Sequence, residues 1–518
     1  MVKKKSTTLL ITIIFFYFVS YGITLFNDSV FWDDVGVVGM DSETILEWHN
    51  MAGMPYIGWL IVALSNLGAV GYRILSFFVF LLCSVFVYLI LNNHKELFNK
   101  WDRFYIVAIF SVFPVFTERL LVIIGWYTIP YLLFFLGWYL LTEYYRKKQK
   151  IYRILSLLVF FLSFAHNSLL FFYGIVLIDI IYYEREKLTN IKTYLKLLYK
   201  YLDFLIIPIV ARFIQTQFDS YGLYKGYNEI TIDSLFKGIG YSIHSLNDSF
   251  LNVIIQVATP MNGIYMYGVV WIITIVISLI ILKKHNDEQT NKSVLLFIYG
   301  ILTIFAAVFP YCAVGKIPQH IGMYGRWQLL IPLGASITIY YGIKLIASII
   351  RINIKVQTLI LTYLITGFSF LNLSFFLEYQ LDHYKQLALI YEMKNNKNVA
   401  NNNTFIVVDN ATELNAKNRT YKFYEFNYIL KQAYGNPDKL AIRPEDTINK
   451  FKDFKEFHNY HFYEYEFEER PEYMISIDAR QTNYSHLDIL KLLYYEKFDQ
   501  KKFNSKIQNL LELHVKKL

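Results

Sequence analysis

The sequence predicts a polytopic α-helical membrane protein of about eleven transmembrane helices, with a small C-terminal α/β domain. Three observations carry that expectation. The 518 residues are 55% hydrophobic and 18% aromatic, with a mean hydropathy of +0.33. Charged residues make up 18%, below the roughly one quarter of a soluble domain. Several apolar runs reach about 18 residues, the length a helix needs to cross a bilayer.

The first expected span, 9–26, follows Met1-Val2-Lys3-Lys4-Lys5. No small-residue cleavage site comes after it, so a retained helix with a cytoplasmic N-terminus is expected. Further spans are expected at 70–92, 104–116, 127–145, 152–165, 169–183, 201–215, 260–282, 293–312, 327–349 and 357–377. Basic connectors fix alternate loops inside: Lys95 to Arg103, Arg146 to Arg153, Arg185 to Lys200, Lys283 to Lys292, and Arg351 to Lys355. The loops at 27–69, 116–126, 166–168, 216–259 and 313–326 then face outward, as does the C-terminus. Residues 55–68 are apolar but short, and read as a helix lying along the outer surface.

From about residue 379 no span is possible. Residues 379–518 read as a soluble extracytoplasmic domain beside the transmembrane domain 1–378. Phe405–Asp409 and Tyr473–Asp478 read as buried strands, and 484–498 and 503–516 as amphipathic helices. Of the net charge of +9, the C-terminal part holds +1, from 21 Lys and Arg against 20 Asp and Glu. The excess therefore lies in the membrane part, where it reports topology rather than nucleic-acid binding. Cys83 and Cys312 lie in apolar runs and read as buried small hydrophobes. They form no disulfide framework or metal motif.

Few residues carry chemistry. Asp33 and Asp34 adjoin in Phe31-Trp-Asp-Asp34, just past the first span. Two neighbouring carboxylates repel. They read either as a base with its support or as turn-capping groups in a solvated loop. Trp32 reads as an interfacial anchor beside them. Glu118 in Phe113-Pro-Val-Phe-Thr-Glu118 is a second outer carboxylate, with a surface pair to Arg119 as the plainer alternative. His166 and Asn167 interrupt an apolar run and face a cavity or a partner helix. Arg326, at the outer mouth of the tenth span, offers a donor fork that fits phosphate, or snorkels as an anchor. No Gly-rich nucleotide loop, Walker motif or Cys/His metal spacing occurs. Nucleotide sugars are absent outside the cell, so a transferase there needs a lipid-borne donor.

Taken together, these motifs resemble the GT-C superfamily of integral-membrane glycosyltransferases, in the branch of protein O-mannosyltransferases and transmembrane O-mannosyl enzymes. Phe31-Trp-Asp-Asp34 looks like its first-loop acidic motif, and Gly71-Tyr72-Arg73 like the start of its following helix. Phe113 to Glu118 looks like its second-loop motif, and Tyr324-Gly-Arg-Trp-Gln-Leu-Leu-Ile-Pro-Leu-Gly334 like its late Arg-aromatic helix start. The likeness covers residues 1–378. The family often has Lys-Glu where this chain has His166-Asn167, and His-Pro-Glu near this chain's Phe-Thr-Glu.

The resemblance implies an inverting transfer of sugar from a polyprenyl-phosphate donor to a glycan, lipid or protein acceptor at the outer face of the membrane. It implies Asp33 as base with Asp34 in support. Arg326 would sit on the donor phosphate, and Glu118, His166 and Asn167 would orient donor or acceptor. The loops 27–69 and 216–259 would roof the site. No cofactor is implied with certainty, and a divalent metal stays open. The alternative is a non-catalytic transporter or assembly factor for lipid-linked saccharides. Transporters, however, place ionisable groups near the midplane, often within inverted repeats.

Overall fold

The computed structural model describes residues 2–38, 41–51, 55–187, 189–218, 230–258, 264–283, 292–319, 322–435, 439–445 and 471–518. Helix α1 (Val2–Tyr21) is followed by a 3-10 turn, Trp32–Gly36, and by two short helices, α2 (Ser42–Met51) and α3 (Pro55–Asn66). Then come α4 (Gly68–Asn93), α5 (Lys100–Val112), α6 (Thr128–Lys147), α7 (Lys150–Ser163), α8 (Ser168–Phe172), α9 (Gly174–Glu184), α10 (Ile191–Lys200) and α11 (Leu202–Phe218). The series continues with α12 (Ile232–Leu246), α13 (Asn252–Ala258), α14 (Ile264–Leu282), α15 (Ser293–Cys312), α16 (Ile331–Ile349) and the 42-residue α17 (Ile354–Asn395).

Among the described residues, five helical segments are long and apolar enough to cross a membrane: Gly68–Asn93, Val122–Lys147, Ser293–Cys312, Ile331–Ile349 and Ile354–Asn395. Leu9–Thr24, Tyr56–Asn66 and Tyr267–Leu282 are shorter apolar helices. The remaining expected spans fall on helix too, but not on helices of that length and apolarity. The stretch expected at 169–183 is divided between α8 and α9. The connector 284–291, and residues 219–229 and 259 of the expected outer loop 216–259, lie outside the described residues. The rest of that loop corrects the sequence reading, being helical through α12, a π-turn at Asn247–Leu251, and α13.

Local chemistry sets the helix ends. At the start of α5, Asn99 Oδ1 accepts the Trp101 and Asp102 N–H groups, and Asp102 Oδ2 accepts that of Asn99. This reciprocal cap satisfies donors that would otherwise be orphaned. Pro114, two residues past the end of α5, cannot continue the helix. Helices α15 and α16 cross at glycines: a Cβ on Gly334 would fall 2.5 Å from the Ile304 nitrogen, and one on Gly300 2.8 Å from the Thr338 nitrogen. Small residues let helix backbones approach where lipid offers no hydrophobic drive.

Helix α17 is the spine. It packs on α1, α5 and α14, then continues past residue 378 to meet the C-terminal elements. These are α18 (Lys397–Ala400), β1 (Thr404–Asp409), α19 (Phe423–Tyr434), β2 (Leu440–Ile442), β3 (Tyr473–Ala479), α20 (His486–Phe498), α21 (Gln500–Gln508) and β4 (Leu511–Lys517). The sheet order is β2-β1-β3-β4, parallel except for antiparallel β3–β4. Both expected strands are present. The helix expected over 503–516 is a correction: α21 ends at Gln508, and Leu511-Glu-Leu-His-Val515 alternates at the strand period and pairs with β3. Helix α19 and strand β2 escaped the sequence reading.

The polar C-terminal half of α17 is buried because the following segment satisfies it. Lys385 Nζ donates to both Asp409 oxygens at 2.7 Å and to the Asn415 side chain at 2.8 Å. Arg419 Nε donates to Asp382 Oδ2 at 3.0 Å, and its Nη1 to Glu425 Oε2 at 2.8 Å. The Tyr421 hydroxyl donates to Asp382 Oδ1 at 2.7 Å.

The α15–α16 crossing gives a direct test. Gly334→Val should force the two helices apart and lower the yield of monodisperse protein and its Tm. Gly268→Val, where a Cβ meets nothing within 4 Å, should leave both near wild type. Size-exclusion and thermal-shift measurements on the two variants check the difference.

Candidate functional site

The acidic turn Trp32–Gly36 is held from three sides. Arg73, near the start of α4, donates to the Asn27 carbonyl at 2.6 Å and stacks 4.4 Å over the Phe31 ring. Gln380 of α17 accepts from Asn27 Nδ2 at 2.8 Å and donates to Ser29 Oγ at 3.0 Å. Trp32 has φ of +47°, a left-handed conformation costly for a bulky residue. Its ring is buried beneath the Arg419 guanidinium, 4.5 Å from the centroid. Trp32 thus meets the C-terminal part rather than the membrane interface expected of it.

The two aspartates part company. Asp34 is fully buried. Its Oδ1 accepts the Ile123 N–H at 3.1 Å and its Oδ2 the Phe31 N–H at 3.4 Å, joining the turn after α1 to the segment between α5 and α6. Burial pushes its carboxyl up to about 7, against the pull of Arg73 and these two N–H groups. Asp33 is half-buried and accepts a hydrogen bond from the Tyr424 hydroxyl. Burial raises its carboxyl above the usual range, while Tyr424, Arg419, Arg326 and Lys422 oppose the rise. Burial and the Asp33 charge hold the Tyr424 phenol protonated, so Tyr424 is the donor.

Glu118 makes no surface pair with Arg119. Its carboxylate is fully buried and its Oε1 lies 2.9 Å from Lys417 Nζ. The same Nζ donates to Thr117 Oγ1 at 2.9 Å. Glu118 Oε2 has no hydrogen-bond partner among the described residues. A Cβ at Gly325 would collide with this carboxylate. Glycine there lets the backbone carrying Arg326 lie directly against Glu118. Lys417 and Asn418 both adopt left-handed backbone, φ +56° and +51°.

Arg326 is partly exposed and stands 5.1 Å over the Trp327 ring. Its loop is buttressed by the helices that replaced the expected 216–259 loop. Gln328 Nε2 donates to Ser249 Oγ at 2.6 Å, and the Ser245 hydroxyl donates to the Pro318 carbonyl at 2.9 Å. His166 is buried, with Nε2 2.6 Å from Ser168 Oγ and 3.0 Å from the Tyr311 hydroxyl. Burial pushes its imidazole down to about 3, so it is neutral. Tyr311 in turn stacks on Trp327. Asn167 is exposed on the turn before α8.

The structure therefore brings Asp33 and Glu118 under one segment, residues 416–424, with Arg326 near enough to act on the Asp33 carboxyl and its neighbour Gly325 against Glu118. It puts Asp34 and His166 behind them as supports and leaves Asn167 apart. Sequence reading missed Lys417, Arg419, Lys422 and Tyr424, which lie far along the chain from the motifs they complete. Among the described residues, no group of three or more His, Cys, Asp or Glu is placed to hold a metal ion.

Asp34 gives a pH test. A carboxyl raised from 3.8 to about 7 contributes stability that is full below pH 4 and lost as pH rises through 7. Asp34→Asn cannot ionise, so its stability relative to wild type should improve from pH 4.5 to pH 8, by at most about 4 kcal/mol. Denaturation midpoints of both proteins across that range check the sign.

No family model matches the chain, and no curated protein matches it. Among solved structures the chain is similar to the archaeal oligosaccharyltransferase AglB from Archaeoglobus fulgidus, determined in complex with an inhibitory peptide and a dolichol-phosphate. The two share 10% identity, over 92% of this chain and 69% of that one, with a TM-score of 0.37.

Proposed function

We propose that this chain is a GT-C-type glycosyltransferase that moves a sugar from a polyprenyl-phosphate donor to an acceptor hydroxyl at the outer face of a membrane. The observation that carries the reading is that Asp33 and Glu118, both held by residues 416–424, share one site with the loop of Arg326, which abuts Glu118 through Gly325 and whose charge acts on Asp33. Two acids and a guanidinium at the outer end of a helical bundle suit transfer from a lipid-borne phosphate. The ordered sequence motifs around the same residues point the same way. In this reading the N-terminus is cytoplasmic and residues 379–518 form an extracytoplasmic domain.

Asp33 is the base. Its raised carboxyl suits proton transfer near neutral pH better than an ordinary aspartate would. The acceptor proton passes to Asp33 as the acceptor oxygen forms its bond to the anomeric carbon. The bond from that carbon to the phosphate oxygen breaks, and the electron pair leaves with polyprenyl phosphate. Direct displacement inverts the anomeric centre, through an oxocarbenium-like transition state. Arg326 stabilises the charge that develops on the phosphate. Asp34 acts by holding the turn, and Glu118, anchored by Lys417, offers its second oxygen to donor or acceptor hydroxyls. His166 positions the Arg326 loop through Tyr311 and Trp327.

The test is purified protein in nanodiscs with a panel of radiolabelled polyprenyl-phosphate sugars. Wild type should release label from one donor, and Asp33→Asn should lose at least about 100-fold in rate, the scale of a general base. Arg326→Lys should lose less, since charge survives but the fork does not. No turnover of any donor, with wild type and Asp33→Asn binding polyprenyl phosphate alike, would contradict the enzyme and favour a transporter or assembly factor.

A further inference from the structure

Beside the loop that carries Glu118 lies a second feature, distinct from the acidic site. Arg119 is buried, yet no carboxylate lies within ion-pair distance of it among the described residues. Its guanidinium is clamped between the rings of Tyr21 and Phe80, 3.8 and 4.0 Å from their centroids. Its Nη2 donates to the Tyr17 hydroxyl at 2.8 Å. The ionisable side chains that act on it most strongly are Tyr17, Tyr21 and Tyr72, all phenols. A cation withdrawn from water without a counter-charge is costly, and chains seldom keep one so placed unless something answers it.

Two cavities border this guanidinium. One, of about 30 Å³, lies between α1, α4, α5, α6 and the start of α16, and Ser84, Ser111 and Tyr131 help line it. The other, of about 10 Å³, lies toward Thr24, Thr117 and Asn372. Asp33, Asp34, Glu118, His166 and Arg326 line neither. The Ser84 and Ser111 hydroxyls already donate to the Phe80 and Ala108 carbonyls one turn back, so their lone pairs turn outward. The Tyr21 and Tyr131 phenols and the Arg119 guanidinium remain as donors in the wall of the larger cavity. One fixed positive charge and a planar fork of N–H groups at the wall of a small cavity suit a compact tetrahedral oxyanion.

We infer that the larger Arg119 cavity is an anion-binding site for a phosphate-class group, separate from the acidic site and independent of the transferase reading. The group comes either from free phosphate or from the headgroup of an anionic lipid that enters between the helices. The chemistry is shared, and the experiment separates the sources.

The probes are inorganic phosphate, added to full-length protein in phosphatidylcholine nanodiscs, and phosphatidylglycerol, built into the nanodisc without added phosphate. Binding is read by ³¹P NMR line broadening and by the shift in Tm. Wild type should respond to at least one probe. Arg119→Gln should weaken that response at least tenfold. Ser111→Leu, which fills the cavity and leaves the guanidinium in place, should do the same, so the outcome does not hang on whether the arginine variant folds. Lys491→Gln, at an exposed position of α20 that lines neither cavity, should respond as wild type does. A response to phosphate alone assigns the free anion, and one to phosphatidylglycerol alone assigns the lipid. The inference is overturned if wild type answers neither probe, if Arg119→Gln and Ser111→Leu both respond like wild type, or if only Lys491→Gln loses the response.

Discussion

Arg419 is the junction on which the rest of the structure depends. Its guanidinium is buried, pairs with Asp382 of α17 and with Glu425 of α19, and lies over the Trp32 and Tyr421 rings. One side chain therefore ties the spine helix, helix α19 of the C-terminal part and the acidic turn Trp32–Gly36. Burying a guanidinium costs several kcal/mol unless its donors and charge are answered. Here two carboxylates and two aromatic faces answer it, so removing either carboxylate would strand charge in a low-dielectric interior.

Backbone strain collects at the same place. Five non-glycine residues have left-handed φ among the described residues, and three of them, Trp32, Lys417 and Asn418, flank the acidic site. The other two, Lys148 and Arg351, sit at the ends of α6 and α16, where such a conformation is an ordinary way to leave a helix. Strain of this kind persists where surrounding contacts over-determine it. Trp32 is held by Arg419, and Lys417 by Glu118 and Thr117, so the outer loops and the 416–424 segment hold each other in shape. Gly325 completes the fit by letting the Arg326 backbone touch Glu118.

The apolar helices were legible because their signal is local: a long apolar run between basic connectors reads as a span without knowledge of any partner. The strands at 404–409 and 473–479 were legible for the same reason. The expected end of α17 fell near residue 377 because Gln380, Asp382 and Lys385 look solvated in isolation. They are buried by Asn27, Arg419, Tyr421 and Asp409, partners the local pattern does not reveal. Strand β4 was read as helix because its short alternation follows directly on the periodic pattern of α21, and its pairing with β3 decides the matter. Asp33, Glu118 and Arg326 stood out as charges at outer helix ends. Tyr424 and Lys417 did not, since nothing near them in sequence distinguishes them from the many tyrosines and lysines of the C-terminal part.

The central claim is that residues 416–424 and the outer loops form one electrostatic unit. The measurement that tests it most directly is a double-mutant cycle on unfolding free energy with Glu118→Gln, Lys417→Met and the pair. A buried, hydrogen-bonded pair predicts that the two single effects do not add, with a coupling of about 1–3 kcal/mol. Additive effects, within about 0.5 kcal/mol, would mean that Glu118 and Lys417 do not depend on each other and would contradict the account.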